Sequence, residues 1–204
     1  MSRQPQSWEE ATSLADLGHL TAAWLQGRLE EHPCCAGGPE GETSAIVDVL
    51  IALNQGGFVT TFSQPAEPID ETGSGQRAAV AGYANEPLAR AFASLTLSSE
   101  LLVFAYEPNA AGGYHVPIST QDHHPYTWCG LPEGPEELEQ FASLLRPEAV
   151  RALRDAWQVV AIDLKWGRSR LLWRELVRVT RAGRNGTWTI APSPDLGLDC
   201  DYVR

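Results

Sequence analysis

The chain has 204 residues, of which 43% are hydrophobic and 20% charged, proportions of an ordinary globular protein that exclude a disordered or collagen-like polymer. Its 15 Lys plus Arg against 26 Asp plus Glu give a formal net charge of -11, which repels a nucleic-acid backbone unless the basic residues gather on one face. No stretch reaches the roughly 18 uninterrupted apolar residues of a membrane span, and no basic start followed by an apolar run suggests a secretory signal.

In chain order, residues 7 to 29 read as a helix, with Ser7 and Glu10 at capping-box spacing and Leu14, Leu17, Trp24 and Leu25 at helical intervals. A Gly/Pro-rich connection from His32 to Glu42 leads to a second amphipathic helix on Ile46, Val47, Leu50, Ile51 and Leu53, which stops at Gly56 and Gly57. Phe58 to Phe62 turns to β-branched and aromatic residues and predicts a strand. Pro65 to Gly75 is a long surface loop, and long loops in compact domains tend to be functional.

Ala78 to Tyr83 is the next predicted strand, Pro87 to Leu97 a helix and Leu101 to Tyr106 a buried strand, with Tyr114 to Ser119 its hairpin partner across Gly112 and Gly113. Residues 120 to 134 are irregular. Pro135 and Pro147 suit first helical positions, with Leu138, Phe141 and Leu145, then Val150, Leu153 and Trp157, as apolar faces. Val159 to Leu164 is a continuous apolar run, as in a strand buried on both faces. Leu172, Trp173, Leu176 and Val177 mark a helix, and Trp188 to Ala191 a short last strand. The expected fold is one α/β domain over 1–204, a mixed sheet of about five to six strands flanked by helices, with a C-terminal βαβ unit.

Cys34 and Cys35 are adjacent and Cys129 and Cys200 stand alone, so no C-x-x-C spacing suggests a disulfide or zinc; reduced thiols and a cytoplasmic protein are expected. The phosphate-loop, dinucleotide, nucleophile-elbow and H-E-x-x-H motifs are all missing, and neither a metal nor a cofactor is expected.

Three groups carry candidate chemistry. If the strands around 60 and 80 are neighbours, the loop between them returns Gln76 and Arg77 beside Thr60, Thr61, Ser63 and Gln64. Arg77 then grips a carboxylate or phosphate while Thr61, Ser63, Gln64 and Gln76 orient the ligand. Equally, Ser63-Gln64-Pro65 ends a strand and Arg77 pairs with Glu67 or Asp70. Asp163, followed by Lys165, Trp166 and Arg168, sits where a parallel strand would end, as a general base or ligand anchor, or else as a cap or ion-pair partner of Lys165 or Arg168. His115, and His123 with His124 beside Asp122, offer proton transfer, although a surface loop explains them as well.

The run Asn54-Gln55-Gly56-Gly57-Phe58-Val59-Thr60-Thr61-Phe62-Ser63-Gln64-Pro65, with Gln76-Arg77-Ala78 and Gly82-Tyr83, resembles an actinobacterial family known as a domain of unknown function. Ser13 to Gly18, Trp24-Leu25, Trp166-Gly167-Arg168 and Leu171-Leu172-Trp173 extend the likeness over most of the chain. Members usually carry glycine after the proline of the Ser-Gln-Pro run, where this chain has Ala66. The resemblance implies no activity, but it implies that the Ser63 and Arg77 regions act as one unit.

Two functional classes follow. The first is a protein that binds a small anionic ligand, or a metal-independent hydrolase or transferase acting on one. Its pocket lies around Ser63, Gln64, Gln76 and Arg77, with Asp163 or His115 moving protons. The second is an acidic interaction module, immunity- or antitoxin-like, whose negative surface meets a basic protein partner. Neither membrane nor nucleic acid is an expected partner.

Overall fold

The computed structural model describes residues 4–33, 37–39, 41–134, 136, 138 and 144–184. The expected strand Trp188 to Ala191, Phe141, the Cys34–Cys35 pair and Cys200 lie outside the described residues.

The first helix, α1 (Leu14–Leu25), starts a turn and a half later than its first capping signal. Two capping spacings compete, and the later one wins because buried Leu17, Leu20 and Leu25 follow it directly. Ser13 Oγ accepts from Asp16 N at 3.2 Å, while Asp16 Oδ2 accepts from Thr12 N at 3.0 Å. Ser7 opens only the short turn Trp8–Glu10, after which Ala11 is extended.

Helix α2 (Val47–Gln55) packs across α1 at Gly18, where a Cβ would stand 2.5 Å from Asn54 O. Only glycine lets two helix backbones come this close.

Strands β1 (Val59–Gln64), β2 (Gly75–Gln76) and β3 (Ala79–Ala84) come in succession, followed by α3 (Glu86–Ala93), α4 (Leu95–Ser98) and strand β4 (Leu101–Tyr106). The short strands β5 (Val116–Pro117), β6 (Ser119–Gln121), β7 (His124–Pro125) and β8 (Trp128–Cys129) follow. Then come α5 (Pro147–Arg154), begun by its proline as expected, β9 (Trp157–Asp163) and α6 (Arg170–Arg184).

The chain is therefore an α/β protein, built on a four-stranded sheet in the order β1-β3-β9-β4. Every described strand pair is antiparallel, including β9 with both neighbours. A mixed sheet was expected from a C-terminal βαβ unit, whose second strand, Trp188 to Ala191, lies outside the described residues. The apolar run of β9 records burial on both faces, which a central antiparallel strand achieves when both faces are covered.

Val159 and Ala161 face the helices together with Val80, Leu101 and Val103. Val160 and Ile162 join Ala79, Ala81 and Ile118 in a second, smaller core under the segment carrying β5 to β8.

The expected hairpin between Leu101–Tyr106 and Tyr114–Ser119 is not formed. Strand β4 pairs with β9, β5 pairs with β8, and β6 lies between β2 and β7. The glycines at 112 and 113 sit in a connection that crosses to the other sheet face instead of folding β5 back onto β4. On the outer edge of β4, Thr96 Oγ1 accepts from Val103 N at 2.9 Å, which shields the open ladder.

Between β1 and β3 the register shifts at Thr60/Phe62. Gly82 permits this bulge, since a Cβ there would fall 2.1 Å from Val59 O.

Candidate functional site at the start of helix α6

The expected cluster is partly assembled. Ser63 is partnered with Val80 and Gln64 with Ala79, and cross-strand partners share a face while successive residues alternate. Ser63 therefore faces the helix side and Gln64 the opposite one.

Gln64, only 7% exposed, donates from Nε2 to the carbonyls of Arg77 and Ile118, each at 3.0 Å. Arg77 Nη1 donates to Pro117 O at 2.7 Å, and its Cζ lies 4.3 Å from the centre of the Trp166 ring. Burial pulls the guanidinium below its ordinary pKa, and nearby Asp163 offsets only part of that effect. Neither Glu67 nor Asp70 pairs with it; the Asp70 carboxylate accepts from Thr72 N, Thr72 Oγ1 and Ser74 N.

Gln76 exchanges backbone hydrogen bonds with Glu67, at 2.9 and 3.0 Å, and its carbonyl accepts from Gly167 N at 3.3 Å. Gln76 Oε1 and Arg77 Nε are buried and have no partner among the described residues.

Gln64, Gln76 and Arg77 thus meet as fasteners of four segments. A cavity of about 220 Å³ beside Trp166 is lined by Pro117, Ser119, Thr120 and His123 among others, and the Gln76 and Arg77 side chains stand outside its wall. Replacing Gln64 by Ala should cost about 1–3 kcal/mol, because it strips the side-chain donor from two buried carbonyls. Chemical denaturation should show that loss.

Thr61 and Thr60 are employed elsewhere. Thr61 Oγ1 donates to Glu133 Oε1 at 2.5 Å and Tyr83 OH to Glu133 Oε2 at 2.6 Å. Gln158 Nε2 donates to Glu133 O at 2.9 Å, clasping the same residue to the sheet. The Asn54 amide donates to Thr60 Oγ1 at 2.8 Å and accepts from Thr60 N at 3.0 Å.

Asp163 is fully buried in a two-pronged ion pair. Arg168 Nε and Nη2 each stand 2.7 Å from one of its oxygens, and Lys165 N donates to it at 3.0 Å. Arg168 also reaches Glu100, which Lys165 Nζ meets at 2.9 Å. Arg168 and then Lys165 hold the Glu100 carboxyl down at about 2. This is the ion-pair arrangement weighed for Asp163 at the outset, with both carboxylate oxygens engaged.

His115 is exposed, 6.2 Å from the Trp128 ring and without a carboxylate partner among the described residues. His123 is exposed in the β6–β7 turn with φ of 65°, and His124 is exposed at the start of β7. Among the described residues no group of three or more His, Cys, Asp or Glu is placed to hold a metal ion. No described helix is long and apolar enough to cross a membrane.

A larger concavity lies elsewhere, and the sequence reading did not single it out. A groove of about 740 Å³ runs between the Gly41–Val49 stretch, Pro65 to Glu67 and the start of α6. Ile46, Val49, Ala66 and Trp173 give it an apolar floor, while Ser44, Ser169, Arg170 and Arg174, together with the carboxylates of Glu42 and Glu67, bring polar groups.

Trp173 is 5% exposed, and its Nε1 has no acceptor among the described residues. Arg170 is exposed and makes no ion pair among the described residues; Arg174 meets Glu175 at 3.0 Å. Both stand in the first turns of a 15-residue helix, whose free N–H groups add partial positive charge. A second groove of about 550 Å³, bounded by Ser98, Ser99 and Arg178, borders the same two arginines. The sequence signal is the Arg170-x-x-Trp173-Arg174 spacing, one helix turn, in which Trp173 marks the apolar face of the expected helix.

The displaced cluster still bears on this groove. Gln76 holds Glu67, in one wall, and Gly167, two residues before Ser169, through its backbone. Fastening the Pro65–Arg77 loop therefore shapes the groove from behind.

A family model described as a domain of unknown function, DUF6919, matches residues 3–182. No curated protein matches the chain.

Proposed function

Because the chain belongs to the DUF6919 family, whose description carries no activity, we propose from the groove itself that the protein binds a small anionic ligand with a flat apolar part. The observation that carries this reading is Arg170, without an ion pair among the described residues, beside an apolar groove floored by Trp173. The volume of about 740 Å³ falls within the range of small-molecule sites. Glu42 and Glu67 also line the groove, but neither pairs with Arg170 or Arg174 among the described residues, so the guanidinium groups at the start of α6 favour an anionic occupant.

In this reading the carboxylate or phosphate of the ligand meets Arg170, Arg174 and the first N–H groups of α6, and its ring lies against Trp173. The Gln64–Gln76–Arg77 cluster supports the site without touching the ligand. Binding is favoured over catalysis, because no groove hydroxyl is hydrogen-bonded to a base among the described residues. The same reading takes the protein to be cytoplasmic.

A thermal-shift screen of aromatic carboxylates and phosphate monoesters tests it. A ligand at 100 times its Kd adds about 2.7 kcal/mol to native stability. Arg170→Ala should abolish the shift while leaving the unliganded melting temperature nearly unchanged. Arg77→Ala should lower that temperature and leave the ligand-induced shift largely intact. The opposite pattern would return the site to Arg77.

A further inference from the structure

Charge is distributed unevenly along this chain. Between Lys165 and Arg184 lie seven of the 15 Lys plus Arg residues, with Glu175 the only acid among them. The rest of the protein is accordingly more negative than the whole.

Helix α6 sorts these charges by face. Leu172, Trp173, Leu176, Val179 and Thr180 are buried, whereas Arg170, Arg174, Arg178 and Arg181 are exposed. Spacings of four, four and three residues keep the four guanidinium stems within one narrow stripe, about 16 Å long at a rise of 1.5 Å per residue. Arg174 and Arg178 share the single carboxylate of Glu175, at 3.0 and 2.8 Å, and Arg170 and Arg181 have no ion pair among the described residues. Four arginines therefore face solvent with Glu175 between them, and Glu100, across the neighbouring groove, is already engaged by Lys165 and Arg168.

We propose that this stripe is a docking face for a short acidic segment of a partner protein. The polarity is the reverse of the acidic interaction surface expected from net charge alone. Guanidinium forks match carboxylates two bonds at a time, which an ammonium does not.

Length decides between a peptide and a nucleic acid. The stripe covers about two screening lengths, at about 8 Å each in physiological salt. The chain outside Lys165–Arg184 is net negative, so a polyanion much longer than the stripe gains little attraction beyond it, while a segment with three or four carboxylates stays within the positive field.

The test measures anisotropy of a fluorescein-labelled oligoglutamate peptide with the full chain, at low and at physiological salt. An oligothymidylate of matched charge serves as competitor. The expected result is salt-sensitive peptide binding, weakened at least about tenfold by Arg178→Glu with Arg181→Glu and by an intermediate factor of about threefold in the double lysine variant, which keeps the charge and loses the fork. Neither variant should change the melting temperature by more than a few degrees. Arg178 and Arg181 do not line the 740 Å³ groove, so small-ligand binding there should survive both.

Reversing Arg151 and Arg154 on α5, both exposed, should leave the peptide bound. The proposal is overturned by any of three results: no peptide binding at low salt, equal loss on reversing Arg151 and Arg154, or tighter binding of the oligothymidylate.

Discussion

Replacing Arg168 by Ala should cost about 3–5 kcal/mol of folding stability, the loss found when one partner of a buried ion pair is removed. The cause is the Asp163 carboxylate. It is fully buried at the end of the central strand β9, and Arg168 meets both of its oxygens at 2.7 Å. Without that fork the carboxylate keeps the Lys165 backbone N–H, at 3.0 Å, and the more distant charge of Arg77, and loses its direct counter-ion.

Arg168→Lys should recover only part of the loss, since an ammonium cannot bridge both oxygens in the plane. Urea denaturation of the two variants measures this directly. A loss below about 1 kcal/mol for Arg168→Ala would mean the pair behaves as an exposed one. The Arg168 contact to Glu100 is expected to matter little, because Glu100 is well exposed.

Acid should weaken the fold through His32, and this is the second large effect. His32 is 9% exposed, with Trp8 edge-on at 5.0 Å and Trp24 at 4.7 Å. Burial lowers its pKa from 6.5 to about 4. The unfolded chain therefore takes up a proton at this site near pH 6.5, whereas the folded chain refuses it until about pH 4. The contribution is fully present above pH 6.5 and is lost as pH falls through the interval to about 4.

The loss approaches about 3 kcal/mol at the lower end, at 1.36 kcal/mol per pKa unit. Carboxylates titrate in the lower part of the same window, so the informative quantity is the difference between the parent and His32→Phe. The variant should lack the loss that begins near pH 6.5. Parallel stability curves for the two proteins from pH 7.5 to 4 would show that His32 is not the group responsible.

Much of the fold could be read locally, while its directions could not. The composition of Val59–Gln64, Ala79–Ala84, Leu101–Tyr106 and Trp157–Asp163 marks each as a strand, within two residues of the expected bounds. The apolar run of β9 says only that both faces are covered, which does not fix whether its neighbours run with it or against it. Tyr114–Ser119 followed a glycine pair and looked like the return arm of β4. Its partner, Trp128–Cys129, carries too few residues to signal a strand by itself.

The site was harder for a related reason. Whether Ser63 and Gln64 share a pocket depends on the alternation of side chains and on a bulge two residues earlier, neither visible in composition. Thr61 and Glu133 are 72 residues apart, with no local pattern linking them. Trp173 kept the helical period of its neighbours and so read as core. Its groove exists only because Pro65–Glu67 and the Gly41–Val49 stretch come alongside α6 from distant parts of the chain.

The most direct test of the groove is the indole N–H resonance of Trp173 in a proton–nitrogen correlation spectrum, assigned by its disappearance in Trp173→Phe. Phenyl phosphate serves as the anionic aromatic probe. Titration should move this resonance along a saturating curve, more than the indole of Trp8, and the shift should vanish in Arg170→Ala. A Trp173 resonance that stays fixed while other indoles move, or that moves equally in Arg170→Ala, would contradict anion recognition at the start of α6.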